Sequence, residues 1–309
     1  MPRETELNTS AVHDDFIYEA DTENNGIRIV KYVGNSRHVE IPREIDGKKT
    51  VSLGAYVFAE TEDAGAGRFK AVVAGNGQST PYEIILPYTL KYISYCAFYG
   101  CENITEINIP ETVTEIGSSA FAFCRNLRRI KLPAGVDDVS RSTFRNCTGL
   151  KEAVISGNVR TIGFIAFENC VSLERIILPD SVRTIEMRAF CGCKSLRHVK
   201  LPDCGITFGN GVFAESGLID MNIPETGYIP QAMFHKCKEL EQVTVARGLS
   251  EIGEDAFSGC EALESVLFPQ GVKKIGSRAF CGCEALERLS PIDTDAVYGD
   301  DVWKDTQFY

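Results

Sequence analysis

A phenylalanine recurs along most of this chain at a nearly constant interval, and that interval limits what the chain can fold into. It stands first at Phe98 and then at Phe121, Phe144, Phe167, Phe190, Phe213, Phe234, Phe257 and Phe280. Successive gaps are 23 residues, except for one gap of 21 residues between Phe213 and Phe234. Self-similarity at such a fixed period is typical of repeat proteins. One unit cannot cover its own apolar residues, so the units are expected to stack into a solenoid.

Other apolar residues keep a fixed offset from this phenylalanine. Five residues before it stand Ile93, Ile116, Val139, Ile162, Ile185, Ile252 and Ile275, and six after it stand Ile104, Leu127, Leu150, Leu173, Leu196, Leu240, Leu263 and Leu286. A short alternating run such as 107–109 follows, which predicts a strand with one buried face and is often ended by proline. Spaced leucines at this period predict a right-handed leucine-rich-repeat solenoid, a β-dominated α/β superhelix. We expect a parallel sheet on its concave face, short turns or 3₁₀ segments behind, and terminal caps.

Cysteine follows the same period. It stands three residues after the phenylalanine at Cys101, Cys124, Cys147, Cys170, Cys193, Cys237, Cys260 and Cys283, and only Ser216 interrupts the column. Cysteine is among the residues most often buried, so the column predicts reduced, structural packing residues. Disulfides and structural zinc are the two alternatives to packing. Disulfides between stacked coils fit the allowed Cα separations. Structural zinc is disfavoured, because the C-x-C spacings do not match those of known zinc sites.

The chain divides into five segments by composition. We predict a disordered N-terminus (1–14), an N-terminal β cap with a first irregular repeat (15–58), an insertion loop (59–80), tandem repeats (81–291) and a C-terminal cap (292–309). The formal net charge of −11 argues against nucleic acid as a partner, since nucleic-acid-binding domains carry a basic surface. No apolar run is long enough to span a membrane, so membrane insertion is not expected.

No catalytic motif is found among the scattered histidines, serines and glycines. The chain has no H-E-x-x-H, no G-x-S-x-G and no Walker-type glycine loop. Asp293 and Asp295 resemble part of a calcium loop, but Val297 and Gly299 break the required spacing. We therefore predict that the protein is not an enzyme and has no cofactor or metal.

The outward side chains of the predicted strand column are the better candidates for function. Coils that stack in register place them in a ladder on the concave face, and its middle is basic in an otherwise acidic chain. The candidate ligand-binding residues are Arg129, Lys131, Arg175, Ile177, His198 and Lys200. They suit an acidic protein segment or an anionic glycan. The alternative is that they are ordinary solvated charges, balanced by Glu152.

The repeat unit resembles that of the BspA-like leucine-rich-repeat proteins. Residues 173–193 and 263–283 closely follow the unit L-x-x-I-x-L-P-x-x-V-x-x-I-G-x-x-A-F-x-x-C. The resemblance implies a surface or secreted adhesin of bacteria or protists that binds host matrix proteins or other bacteria, with no catalytic residues to carry over. The first residues contain no signal-peptide core, which leaves open an intracellular scaffold or regulatory subunit that recruits a client protein. We expect a monomer, and the sequence does not fix its location.

Overall fold

The computed structural model of the protein describes residues 11–58, 60–61, 71–72, 83–203, 205–268 and 271–307. These residues form strands and turns only, and no helix is present among them. The strands are β1 (Ala11–His13), β2 (Phe16–Asp21), β3 (Gly26–Tyr32), β4 (His38–Glu40), β5 (Glu44–Ile45), β6 (Lys48–Leu53), β7 (Glu60–Thr61), β8 (Ala71–Val72), β9 (Glu83–Ile85), β10 (Tyr92–Ile93), β11 (Glu115–Ile116), β12 (Arg129–Lys131), β13 (Asp138–Val139), β14 (Glu152–Val154), β15 (Thr161–Ile162), β16 (Arg175–Ile177), β17 (Thr184–Ile185), β18 (Thr207–Phe208), β19 (Asp220–Ile223), β20 (Tyr228–Ile229), β21 (Gln242–Val245), β22 (Glu251–Ile252), β23 (Ser265–Leu267), β24 (Lys274–Ile275), β25 (Arg288–Leu289) and β26 (Val297–Tyr298).

Most coils of the solenoid contribute two short strands, which stack into two parallel rows. The first strand row contains β4–β9, β12–β14–β16 and β19–β21–β23–β25. The second strand row contains β6–β10–β11, β13–β15–β17–β18 and β20–β22–β24–β26. The predicted leucine-rich-repeat solenoid is confirmed, but its α/β description is wrong for the described residues. The residue five before each repeat phenylalanine, aliphatic in all coils but one, lies in a two-residue strand. The second row is therefore extended backbone where turns or 3₁₀ segments were expected.

The periodic phenylalanines form one continuous column of stacked rings through the core. The column runs from Phe58 through the nine repeat phenylalanines to Trp303, with neighbouring ring centroids 5.0–5.9 Å apart and ring planes within 4–19° of parallel. All nine repeat phenylalanines are fully buried. Each internal ring therefore contacts the coil before it and the coil after it, which makes the core a sum of neighbour contacts.

Left-handed backbone brackets the phenylalanine in the turn of each coil. Residues two before and two after it have positive φ, as at Ser119 (58°) and Phe123 (63°) around Phe121. The N–H groups of these two residues and of the phenylalanine between them point along the solenoid axis. Phe98 thus donates to the Ala120 carbonyl at 2.8 Å, and the same bond recurs to the last coil, always from one coil to the next.

The cysteine column adds hydrogen bonds to this packing. The Sγ of Cys124, for example, donates to the carbonyl of Phe98 in the preceding coil at 3.1 Å. The same bond, at 3.0–3.3 Å, is made by Cys147, Cys170, Cys193, Cys237, Cys260 and Cys283. The eleven described cysteines are free thiols, and burial raises the pKa of Cys147 to about 12. The thiol is thus both an apolar filler and a weak donor.

Different structures close the two ends of the column. At the start, β2 and β3 form an antiparallel hairpin, and Phe16 and Tyr32 continue the ring column with tilted rings at 5.4 and 5.7 Å. At the other end, β26 pairs in parallel with β24, and Trp303 stacks on Phe280 at 5.0 Å. Residues 297–306 thus form the turn side of one more coil. In the predicted insertion, β7 pairs with β8, and the other residues lie outside the described part of the chain.

Both strand rows are interrupted near the 21-residue interval, whereas the ring column continues through it. Residues 198–200 form no strand, and β18 does not pair with β20. The turn after Phe213 reaches its buried leucine, Leu218, one residue early. A Cβ on Gly217 would lie 2.0 Å from the Lys194 carbonyl oxygen, so this shortened turn lies tightly against the preceding coil.

Candidate functional site

Three rungs of the first strand row carry the centre of the candidate surface. The strands β12, β14 and β16 pair in parallel register, so that Arg129, Glu152 and Arg175 form one outward column. A second outward column contains Lys131, Val154 and Ile177. The residue between the two columns in each strand is buried, as the alternation of a strand with one buried face requires. His198 and Lys200 occupy the corresponding positions of the next coil, which has no strand there.

The two arginines of the first column share one carboxylate. Glu152 lies between them and accepts from Arg129 at 2.9 Å and from Arg175 at 3.2 Å. Its side chain is 21 % exposed, whereas both arginine side chains are 68 % exposed. Glu152 thus offsets half of the positive charge of the pair.

The histidine of the candidate set also has an acidic partner. His198 Nδ1 lies 2.8 Å from an oxygen of Asp220, which stands on the next rung of the same column. The ring and the carboxylate are both partly exposed, so the pair lies at the surface and not in a pocket. His198 therefore already pairs with an acidic neighbour on the same surface.

The two lysines have weaker ion pairs than the candidate arginines, or none. Lys131 Nζ lies 3.1 Å from Glu111, but both side chains are more than 60 % exposed, and such pairs contribute little to stability. No carboxylate among the described residues pairs with Lys200. Between the lysines along the axis lie Val154, which is half-buried, and Ile177, whose exposure is 38 %. We call Lys131, Val154, Ile177 and Lys200 the lysine–apolar strip.

Two further exposed apolar residues, Ile85 and Leu267, lie on the same face. The rungs beside Leu267 in its column carry Thr244 and Ser290, so it has no charged neighbour comparable to the lysines of the strip. A cavity of about 220 Å³ is lined by Arg129 and Lys131 as well as by Glu106 and Glu111, among others. Its two acidic and two basic side chains balance each other, so the cavity has no net charge that would favour an anion.

Other ionisable groups with unusual surroundings lie on the turns, where no sequence pattern pointed to them. Glu168 is buried and accepts from Arg145 at 2.8 Å and from Arg188 at 2.9 Å, which ties three successive coils together. His235 has a buried Nδ1 without a hydrogen-bond partner among the described residues, and burial lowers its pKa. The described residues contain no group of three or more metal-ligating side chains. The surroundings of Glu168 and His235 thus do not form a metal site, and the ion pairs of Glu168 join neighbouring coils.

The chain belongs to a known repeat family. Residues 78–179 and 160–287 match the BspA type leucine-rich repeat region, with six copies. No curated protein sequence matches the chain. Leucine-rich-repeat proteins of this kind are generally non-catalytic modules for protein interaction. The predicted BspA-like family is thereby confirmed.

Solved structures with the same fold come from several bacteria. A leucine-rich cell surface protein of Faecalibacterium prausnitzii is 22 % identical, with a TM-score of 0.60 over 96 % of this chain and 95 % of that one. A leucine-rich repeat protein of Bacteroides ovatus is also 22 % identical, with a TM-score of 0.58 over 96 % and 92 %. The pneumococcal vaccine antigen PcpA is 17 % identical, with a TM-score of 0.52 over 96 % and 78 %. These similarities establish the fold alone.

Within the described ranges, no helix exists that has the length and apolar character of a membrane span.

Proposed function

We propose that the protein is a non-catalytic binding module whose first strand row holds an acidic segment of a partner protein. The observation that carries this proposal is the lysine–apolar strip: two exposed lysines with half-buried Val154 and exposed Ile177 between them. Of the acids nearby, Glu152 and Asp220 are held by arginine and histidine, and the pair of Lys131 with Glu111 is solvent-exposed. Apolar contact supplies affinity, and complementary charge supplies selectivity and speeds association.

The side chains that pair with an acid on the sheet have a different role in this proposal. Arg129 and Arg175 hold Glu152 between them, and His198 holds Asp220, so these side chains contribute shape and hydrogen-bonding groups at the border of the site. Substituting the arginines would release a half-buried carboxylate as well as remove charge. A clean test therefore leaves them in place and changes the lysines.

The family resemblance and the bacterial cell surface neighbour support a role at a cell surface. We propose adhesion to a host matrix protein as the biological form of this binding. An anionic glycan is the competing ligand class, since it would use the same lysines. It would gain nothing from the apolar pair, and for that reason we favour a protein.

The test is binding to immobilised extracellular-matrix proteins and sulfated glycans at low and moderate salt. The wild type is compared with Lys131→Glu/Lys200→Glu and with a control, Lys91→Glu/Lys273→Glu, whose exposed lysines precede strands of the second row. We expect binding to a matrix protein that the strip variant loses and the control keeps. Equal binding by all three proteins would exclude the strip. Binding only to sulfated glycans, lost with the lysines, would replace the protein ligand by a glycan.

A further inference from the structure

The strip also defines the spacing of what it binds, if the proposed function holds. Its four residues lie on four consecutive coils, one residue per coil. Neighbouring ring centroids in this region are 5.1–5.6 Å apart, and parallel strands lie about 4.8 Å apart. Lys131 and Lys200 are separated by three such steps, or about 15 Å. A ligand that reaches both lysines must therefore extend along the solenoid axis, across the strands.

An extended peptide has a natural length for this separation. A strand rises about 3.3 Å per residue, so residues i and i+4 are about 13 Å apart. Successive side chains alternate between two faces, so i, i+2 and i+4 point the same way and i+3 and i+5 point away. The remaining difference of about 2 Å is within the reach of flexible lysine side chains.

The middle of the strip then faces residue i+2. Lys131 and Lys200 lie at its ends, and Val154 and Ile177 lie between them on the two inner coils. Ile177 exposes enough surface for contact, and the carboxylate of Glu152 is held by arginines in the neighbouring column. An apolar side chain at i+2 would thus rest on the apolar pair while both flanking acids reach the lysines.

We infer that the strip recognises an extended partner segment of the form acid–x–apolar–x–acid, lying along the solenoid axis. This inference rests on the proposed function and adds the partner's chemical pattern and direction to it. The apolar central residue separates this ligand from a simple polyanion, and the spacing of four separates it from a general acidic tail.

The experiment uses fluorescent peptides and the full chain. The first peptide is Ser-Glu-Ser-Leu-Ser-Glu-Ser. A second lacks one serine between leucine and glutamate, a third has one serine more there, and a fourth replaces leucine by serine. Fluorescence anisotropy at low salt gives the affinity of each for the wild type, for Lys131→Ser and for Lys200→Ser.

We expect the first peptide to bind at least about tenfold more tightly than the other three, a difference that corresponds to a single well-placed contact. Either lysine substitution should abolish the preference between the first and the second peptide. Equal binding of the first three peptides, still dependent on the lysines, would overturn the spacing and leave the proposed function standing. Absence of any peptide binding would overturn the extended segment, and the matrix-protein assay with the lysine variants would then decide the proposed function separately.

Discussion

Two glutamates with the same arrangement and different burial allow the electrostatics of this solenoid to be tested directly. Glu168 and Glu152 each lie between two arginines, at N–O distances of 2.8–3.2 Å. The Glu168 side chain is 7 % exposed, whereas that of Glu152 is 21 % exposed. We compare Glu168→Gln with Glu152→Gln, because glutamine keeps the shape and removes the charge.

The expected losses of stability differ several-fold. Hydrogen bonds to a charged group contribute about 1.5–3 kcal/mol each, and more when the group is buried. The arginines beside Glu168 are 41–47 % exposed, so solvent screening reduces this contribution, and we expect a loss of about 2 kcal/mol. The arginines beside Glu152 are 68 % exposed, for which we expect about 0.5 kcal/mol.

The assay is equilibrium unfolding in urea, followed by circular dichroism at two salt concentrations. Guanidinium chloride is avoided because it is itself a salt. A larger midpoint shift for Glu168→Gln that persists in about 1 M salt, with a smaller shift for Glu152→Gln that disappears there, would agree with screening that depends on burial. Equal shifts for the two variants, or a larger one for Glu152→Gln, would show that burial does not set the strength of these clamps.

Three further outcomes are expected. Burial lowers the pKa of His235 in the folded protein, so the unfolded chain binds a proton at higher pH than the folded protein does. The free energy of unfolding should therefore fall as the pH drops below about 6.5, and the urea midpoint of His235→Gln should fall less over the same pH range. Gly217→Ala would place a methyl group 2.0 Å from the Lys194 carbonyl oxygen and should cost about 1–3 kcal/mol, whereas Gly227→Ala, with open space around it, should be near neutral in the same urea titration. Iodoacetamide should modify Cys281, the one described thiol that is not buried, before any other described thiol, and mass spectrometry of early time points would contradict this if a column cysteine reacted first.

Most of the core could be predicted from the sequence because each core column has the same or a similar residue type in nearly every repeat. The phenylalanine, the leucine six residues later and the cysteine column are all buried as their spacing required. The second strand row was not predicted, since its two-residue strands are too short to show an alternating pattern. The left-handed turn positions could not be predicted either, because they carry side chains of different chemical types, such as Tyr56, Ile165 and Arg278.

The candidate surface was less predictable than the core. The ladder order placed Arg129 and Arg175 beside Glu152, but the sequence does not tell whether one carboxylate serves both arginines. The partner of Lys131 is Glu111, which lies outside the strand column, so no rule of alternating residues would have found it. The residues proposed to bind, and the domain limits, therefore stay predictions until binding and truncation are measured.

The hydrogen bonds of the turns join each internal coil to both of its neighbours. The N–H groups at the phenylalanine and two residues to either side of it donate to the following coil, whereas N–H groups ahead of the turn, such as that of Gly117, donate to the preceding coil. Because internal coils repeat the same set of bonds, removal of one whole 23-residue unit would leave the remaining coils with the same donors and acceptors. The number of coils in such a solenoid can therefore change without a change in its bonding pattern.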